Sequence, residues 1–375
     1  MNMMPYSFQL PPISPLIGST WSNFRKITQH HHIDRSQLLK YSLTGATILA
    51  TTPFRLFDRL KFNKTSRQNI EKPIFIIGHW RSGTTFLHNL LCQEPEAAFL
   101  TTYQSVFPNF LASERVFGPV MDRFMPGMRP SDNMKLDRHY PQEDEYALSN
   151  VSSYSFYSFF YFPRAYNEIY ERAVRFRGLS THQVREMGKS YRILLGKALH
   201  SSKGDQMIVK NPVHTARINF LLSLYPDAKF IHIYRNPFNV FLSANKFFQL
   251  LIPELSFQKI SSEGIKKIII DLYSKLYSDY FSQRESVNEG SLVEIKFEDL
   301  ERNPINVLGK IYEKLQLPCF DQAMPYYQSY LKTLQGYKKN TYTMSKADYQ
   351  LVSDSWNDTL GRWGYSLPSN LEIIN

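Results

Sequence analysis

From residue 73 onward, short apolar runs rich in β-branched residues alternate with longer amphipathic segments. IFII (74–77), MIVK (207–210), AKFIHIYR (228–235) and SLVEIKF (291–297) have the length and composition of buried strands. Between them the apolar positions recur every three or four residues. HTARINFLLSLY places Ile218, Leu221, Leu222 and Tyr225 on one helical face, and residues 304–317 do the same with Leu308, Ile311, Tyr312 and Leu315. Helices are also expected over 238–248 and 263–289, and along the stretch that ends near residue 199. Strands alternating with helices predict an α/β fold, a parallel sheet flanked by helices, with ligands outside the carboxyl ends of its strands.

The first 70 residues follow a different pattern. They form a basic extension with Pro-rich ends and one expected helix over 36–60, so the chain is expected to divide into an extension, 1–70, and a main domain, 71–375. The most apolar early stretch, YSLTGATILATTPFRLF, is too short and too rich in Ser and Thr to span a bilayer, and Pro53 interrupts it. Peripheral contact with a membrane surface through this extension stays open. The aromatic run SSYSFYSFFYF (152–162) is expected in the core.

One loop carries recognisable chemistry. PIFIIGHWRSGTT runs from a strand into Gly78, passes four residues, and opens a helix at Gly83, Thr84 and Thr85. This is the strand, Gly-rich loop and helix of a P-loop, except that Thr84 stands where a nucleoside-triphosphate site has its lysine. That lysine reaches the β- and γ-phosphates, so the loop suits an anion smaller than a triphosphate. Arg81 supplies a planar fork of donors, and the backbone amides supply the cradle. A second basic strand end lies at Arg235, and Ser243 follows two helical turns later, giving a second expected anion site.

Composition narrows the partners. The 375 residues are 43% hydrophobic with 24 Tyr and 27 Phe, which is a globular composition, and the formal charge of +11 calls for an anionic partner. Lys and Arg are scattered rather than clustered and no RNA-binding signature occurs, so nucleic acid is the least favoured partner. Cys92 and Cys319 cannot build a disulfide framework and have no metal-ligand spacing; both are expected buried, in a reducing, cytoplasmic setting. The N-terminus lacks the charged and apolar regions of a signal peptide. Oligomeric state is not legible.

With these motifs in place, the chain resembles the sulfotransferases that use PAPS, 3′-phosphoadenosine 5′-phosphosulfate, and in particular the broad bacterial-type group. IIGHWRSGTTFLHNLL is similar to their 5′-phosphosulfate loop, IHIYRNPFNVFLSANKF to their 3′-phosphate segment, and FEDLERNPINVLGKIYEKLQLP to the element that often follows. The resemblance implies a P-loop-like sulfotransferase domain over 71–375, PAPS as co-substrate released as PAP, no metal, and a small-molecule acceptor hydroxyl. Arg81, Ser82, Gly83, Thr84 and Thr85 would then hold the 5′-phosphosulfate, Arg235 and Ser243 the 3′-phosphate, with His79 beside the loop and Lys338 from GYKKNTY as further donor contacts.

Sulfuryl transfer also needs positive charge where the bridging oxygen becomes anionic, and a base for the acceptor proton. Lys210, at the end of its strand, is the expected positive charge because many relatives have a Lys on this strand. The base is harder to place. The cytosolic mammalian members use a His two residues after that Lys, where this chain has Pro212, and LTTYQSVFP offers only Gln104 where other members have a Glu. HYPQEDEYAL remains, similar to an acidic patch of the bacterial group. Glu143 is the expected base, with His139 and Asp144 in reserve, since crowding by Asp144 and Glu145 would raise a carboxylate's proton affinity. The alternative is a patch that only stabilises a helix start. The aromatic content favours a lipophilic alcohol such as a sterol or lipid. A carbohydrate acceptor, a kinase-like nucleotide site and a non-catalytic donor-binding protein remain as alternatives.

Overall fold

The structure, a computed structural model, describes residues 12–62, 69–125, 127–128, 136–334, 343–369 and 371–374. The chain separates into two compact units: one of residues 1–68, 100–200 and 247–265, the other of 69–99, 201–246 and 266–375.

The second unit contains the sheet. Five parallel strands, β1 (Ile74–Ile77), β2 (Ala97–Ala98), β3 (Gln206–Lys210), β4 (Lys229–Tyr234) and β5 (Leu292–Lys296), lie in the order β2-β3-β1-β4-β5. The four expected strands are present at the expected positions. β2 is two residues long and has no period to read. Alternate residues face opposite sides, so Ile74, Ile76, Ile208, Ile231 and Ile233 enter a core closed by Leu308, Ile311, Tyr312 and Leu315 from the helix Pro304–Lys314 and the residue that follows it. On the other face Phe75 stacks on Phe230 at 5.6 Å and meets His214 edge-on at 5.7 Å.

The registers align the carboxyl ends of three neighbouring strands. Ile76 of β1 sits beside Lys210 of β3, and Ile77 beside His232 of β4. β1 has a strand on each side, and its exit therefore opens between the ends of β3 and β4, where an open parallel sheet places its ligand.

The first unit is helical. The expected helix over 36–60 is two helices, Leu38–Ala50 and Thr52–Lys61, separated at Thr51. Pro53 explains the break, because it has no amide to continue the ladder and is tolerated only in a first turn, where it lies. Phe156, Tyr157, Phe159, Phe160, Tyr161 and Phe162 of the aromatic run are buried, as expected of core. The cysteines differ from each other. Cys92 is buried in the sheet core, whereas Cys319 is exposed: it lies in the surface turn before helix Phe320–Thr333, as that helix's N-cap, and outside the apolar face that packs on the core.

Candidate active site

β1 leads into Gly78 at φ 141° and the loop closes at Gly83, φ 100°, which precedes the helix Thr84–Leu91. Both conformations favour glycine, and both positions are also closed to a side chain. A Cβ on Gly78 would lie 2.2 Å from the Ile233 carbonyl oxygen, and one on Gly83 would lie 2.2 Å from the Phe297 ring. Arg81 is itself left-handed at φ 71°, an uncommon state for a residue with a side chain.

Hydrogen bonds hold this shape. The Gly78 amide donates to Thr215 Oγ1 at 2.7 Å and the His79 amide to the Tyr277 hydroxyl at 3.3 Å. Ser82 Oγ donates to the His79 carbonyl at 2.7 Å, so this hydroxyl braces the loop. Leu87 is the first residue to bond back along the helix, to the Gly83 carbonyl at 3.1 Å. The amides of residues 83–86 therefore form the helix N-terminus, whose partial positive charge suits an anion.

Three cationic side chains converge on the loop. Arg81 Nε donates to Ser243 Oγ at 2.9 Å, Arg235 Nη1 donates to the Arg81 carbonyl at 3.2 Å, and the Arg235 guanidinium lies 4.5 Å over the Phe297 ring. Lys210 Nζ donates to Thr85 Oγ1 at 3.3 Å. The two expected anion sites, read separately in the sequence, thus share a hydrogen bond. Thr84 is buried at the first helical position, and Lys210 is buried as well.

His79 is fully buried. Its Nδ1 lies 2.8 Å from the Trp80 carbonyl, which can only accept, so Nδ1 carries the proton. Burial pushes the ring's pKa down to about 4, the carbonyl contact opposing it, and the neutral ring packs 5.0 Å from Tyr273. Lys338 lies outside the described residues.

The acidic patch belongs to the helical unit. Glu143 is the N-cap of helix Asp144–Val151, but its side chain makes no capping hydrogen bond. Instead the Tyr157 hydroxyl donates to Glu143 Oε2. The Tyr191 hydroxyl donates to Asp144 Oδ2, and buried Glu145 accepts from Ser155 Oγ at 2.9 Å and the Phe156 amide at 2.7 Å. The three consecutive carboxylates therefore have separate partners. His139 is exposed, and Arg138 Nε donates to its Nε2 at 2.9 Å, which occupies the lone pair a base would use. Gln104 serves the backbone instead of the chemistry. With Thr101 it forms a capping box at the helix Thr102–Val106, legible as T-x-x-Q.

Thr215 and Phe297 were not singled out by the sequence. Phe297 stood in the quoted FEDL segment, yet its contact with Gly83 depends on the sheet order and has no local signal.

A parallel sheet whose central strand runs into a glycine-bounded loop, with Arg81, Arg235 and Lys210 gathered beside it, is an arrangement of donors that suits a phosphate-like group. The sulfotransferase family model matches residues 73–322, and the chain belongs to that family. The chain is 30% identical over 312 residues to omega-hydroxy-beta-dihydromenaquinone-9 sulfotransferase Stf3 of Mycobacterium bovis, covering 83% of this chain and 80% of the relative. Its fold is similar to the crystal structures of sulfotransferase STF9 from Mycobacterium avium (TM-score 0.66, 15% identity, 98% of this chain and 99% of that one) and sulfotransferase STF1 from Mycobacterium tuberculosis H37Rv (TM-score 0.65, 16% identity, 91% and 94%).

Proposed function

We propose that this sulfotransferase takes its sulfuryl group from PAPS and passes it to the hydroxyl of a lipophilic alcohol. The observation that carries the donor assignment is the link from Arg81 through Ser243 and Arg235, which joins the loop to the second basic strand end. The groups gathered there are donors: two guanidinium groups, an ammonium, hydroxyls and helix amides. That set fits a nucleotide bearing phosphate-like groups at both ends. Arg81, Thr84, Thr85 and the amides at the helix start would hold the 5′-phosphosulfate, and Arg235 and Ser243 the 3′-phosphate.

PAPS supplies an activated sulfuryl group with a phosphate as leaving group. Lys210 would place its charge where the bridging oxygen becomes anionic, in a buried position where charge acts strongly. Its bond to Thr85 orients the ammonium toward the loop. Ser82 keeps the loop's curvature, and His79 acts as neutral packing behind it. Glu143 is the proposed acceptor base: its carboxylate is not used in capping its helix, and the Tyr157 hydroxyl holds one oxygen.

The acceptor proposal rests on the relative named for a hydroxylated menaquinone, together with the aromatic-rich composition. Millimolar PAP in EDTA is expected to raise the melting temperature, since a ligand that binds only the native state stabilises it; no shift rejects the donor. Labelled PAPS offered with a panel of hydroxylated lipids, sterols and sugars is expected to label the lipophilic alcohols. Label on sugars alone overturns the acceptor class.

A further inference from the structure

The helix Thr52–Lys61 is built inside out. Two of its four charged residues, Arg55 and Asp58, face inward, 7% and 1% exposed, while Leu56, Phe57 and Leu60 are 57%, 55% and 78% exposed. Both buried charges have partners, with Arg55 Nε alone making no hydrogen bond. Arg55 donates to the carbonyls of Ile48 at 2.6 Å and Ile17 at 2.9 Å and lies over the Phe110 ring at 4.6 Å. Asp58 accepts from Lys197 Nζ at 2.7 Å and the Ala112 amide at 2.9 Å. These bonds lock the helix in this orientation, so the outward apolar face follows from the packing. A helix at a water-facing surface shows the reverse pattern.

Neighbouring helices extend the apolar surface. Leu38–Ala50 exposes Leu39 and Leu49, and Glu114–Phe124 exposes Val116, Val120 and Phe124 at intervals of four, along one side. Phe54 meets Phe117 edge-on at 5.0 Å, which joins two of the three helices. An exposed apolar surface of this kind marks an interaction site.

Charge identifies the partner. Residues 1–62 carry seven Lys or Arg against two Asp, and one of those, Asp58, is neutralised internally by Lys197. Exposed Arg59 and Lys61 alternate with Phe57 and Leu60 on the same helix, and Arg115 and Arg123 flank the apolar row on the neighbour. Leu and Phe interleaved with Lys and Arg is the composition of a helix that lies in a bilayer interface. Among the described residues no helix is long and apolar enough to cross a membrane, so the contact is a surface one.

We propose that Leu38–Ala50, Thr52–Lys61 and Glu114–Phe124 form a surface that docks on anionic lipid bilayers. The leucines and phenylalanines enter the acyl boundary, and Arg59, Lys61, Arg115 and Arg123 meet the headgroups. This docking does not depend on the identity of donor or acceptor.

The test is co-sedimentation of the full chain with vesicles of phosphatidylglycerol and phosphatidylcholine, with light scattering in parallel. Wild-type protein is expected to bind the anionic vesicles, and to bind pure phosphatidylcholine at least roughly tenfold more weakly. Phe57→Asp with Leu60→Asp is expected to lower anionic-vesicle affinity roughly 100-fold, and Leu39→Asp with Leu49→Asp to lower it in the same direction. Circular dichroism melting checks that these exposed substitutions leave the fold intact. Absence of wild-type binding, or full binding by both variants, overturns the proposal. A dimer that the same substitutions dissociate also overturns it, by assigning the surface to a second copy of the chain.

Discussion

Gly83→Ala is the sharpest probe of the loop. Alanine would have to adopt φ 100°, which costs about 1–2 kcal/mol for a residue with a Cβ. That Cβ would also lie 2.2 Å from Phe297 Cδ2 and 2.7 Å from Cε2, far inside contact distance, and the displaced ring adds about 1–3 kcal/mol. The expected loss is about 2–5 kcal/mol, a large share of the roughly 5–15 kcal/mol of a typical domain. The two parts separate in a double-mutant cycle read by urea unfolding. Phe297→Ala in the Gly83→Ala background removes the collision and leaves the backbone strain, so the pair should be less destabilised than the sum of the singles by about 1–3 kcal/mol. Phe297→Ala alone also removes the ring beneath Arg235, so PAP affinity should fall in that variant without a collision to blame. The reasoning is refuted if Gly83→Ala stays within about 0.5 kcal/mol of wild type, or if the two substitutions are additive.

Arg235→Ala should raise the donor KM by roughly 10- to 100-fold with little change in kcat, because a contact remote from the transferred group is mostly uniform binding; a kcat loss with donor affinity intact contradicts this. Lys210→Met should leave PAP binding within a few-fold and lower kcat by roughly 100-fold or more, and near-normal kcat would remove Lys210 from the chemistry. Glu143→Gln should lower turnover roughly 10²–10⁴-fold at unchanged PAP affinity, while Glu145→Gln loses stability and His139→Asn behaves as wild type. If His139→Asn is the inactive variant, the base is imidazole. His79 gives a pH signature: the unfolded ring protonates near 6.5 and the folded one near 4, so stability is full above pH 6.5 and falls with pH through that window, by roughly 3 kcal/mol. His79→Phe should flatten the decline in urea-unfolding stability between about pH 7 and 5; an unchanged slope rejects the buried neutral ring.

Features that depend on near neighbours are legible along the chain. The strands at 74–77, 207–210, 228–235 and 291–297 are visible because burial on both faces requires unbroken apolar runs, and the core residues of helix Pro304–Lys314 are visible because a helix repeats every 3.6 residues. The loop's shape is legible for the same reason: Gly78 and Gly83 stand at fixed offsets within a dozen residues, and both take the left-handed backbone that the strand, loop and helix pattern requires. What distant segments do to one another emerges only when the chain is folded. The sheet order sets β3 and β4 on either side of β1, and so joins Arg81 to Ser243, 162 positions away, and seats Phe297 against Gly83. The inward turn of Arg55 and Asp58 belongs to the same class. Periodicity shows that helix Thr52–Lys61 has two unlike faces, but which face is buried depends on Lys197, Ile17 and Phe110, whose positions no local pattern encodes.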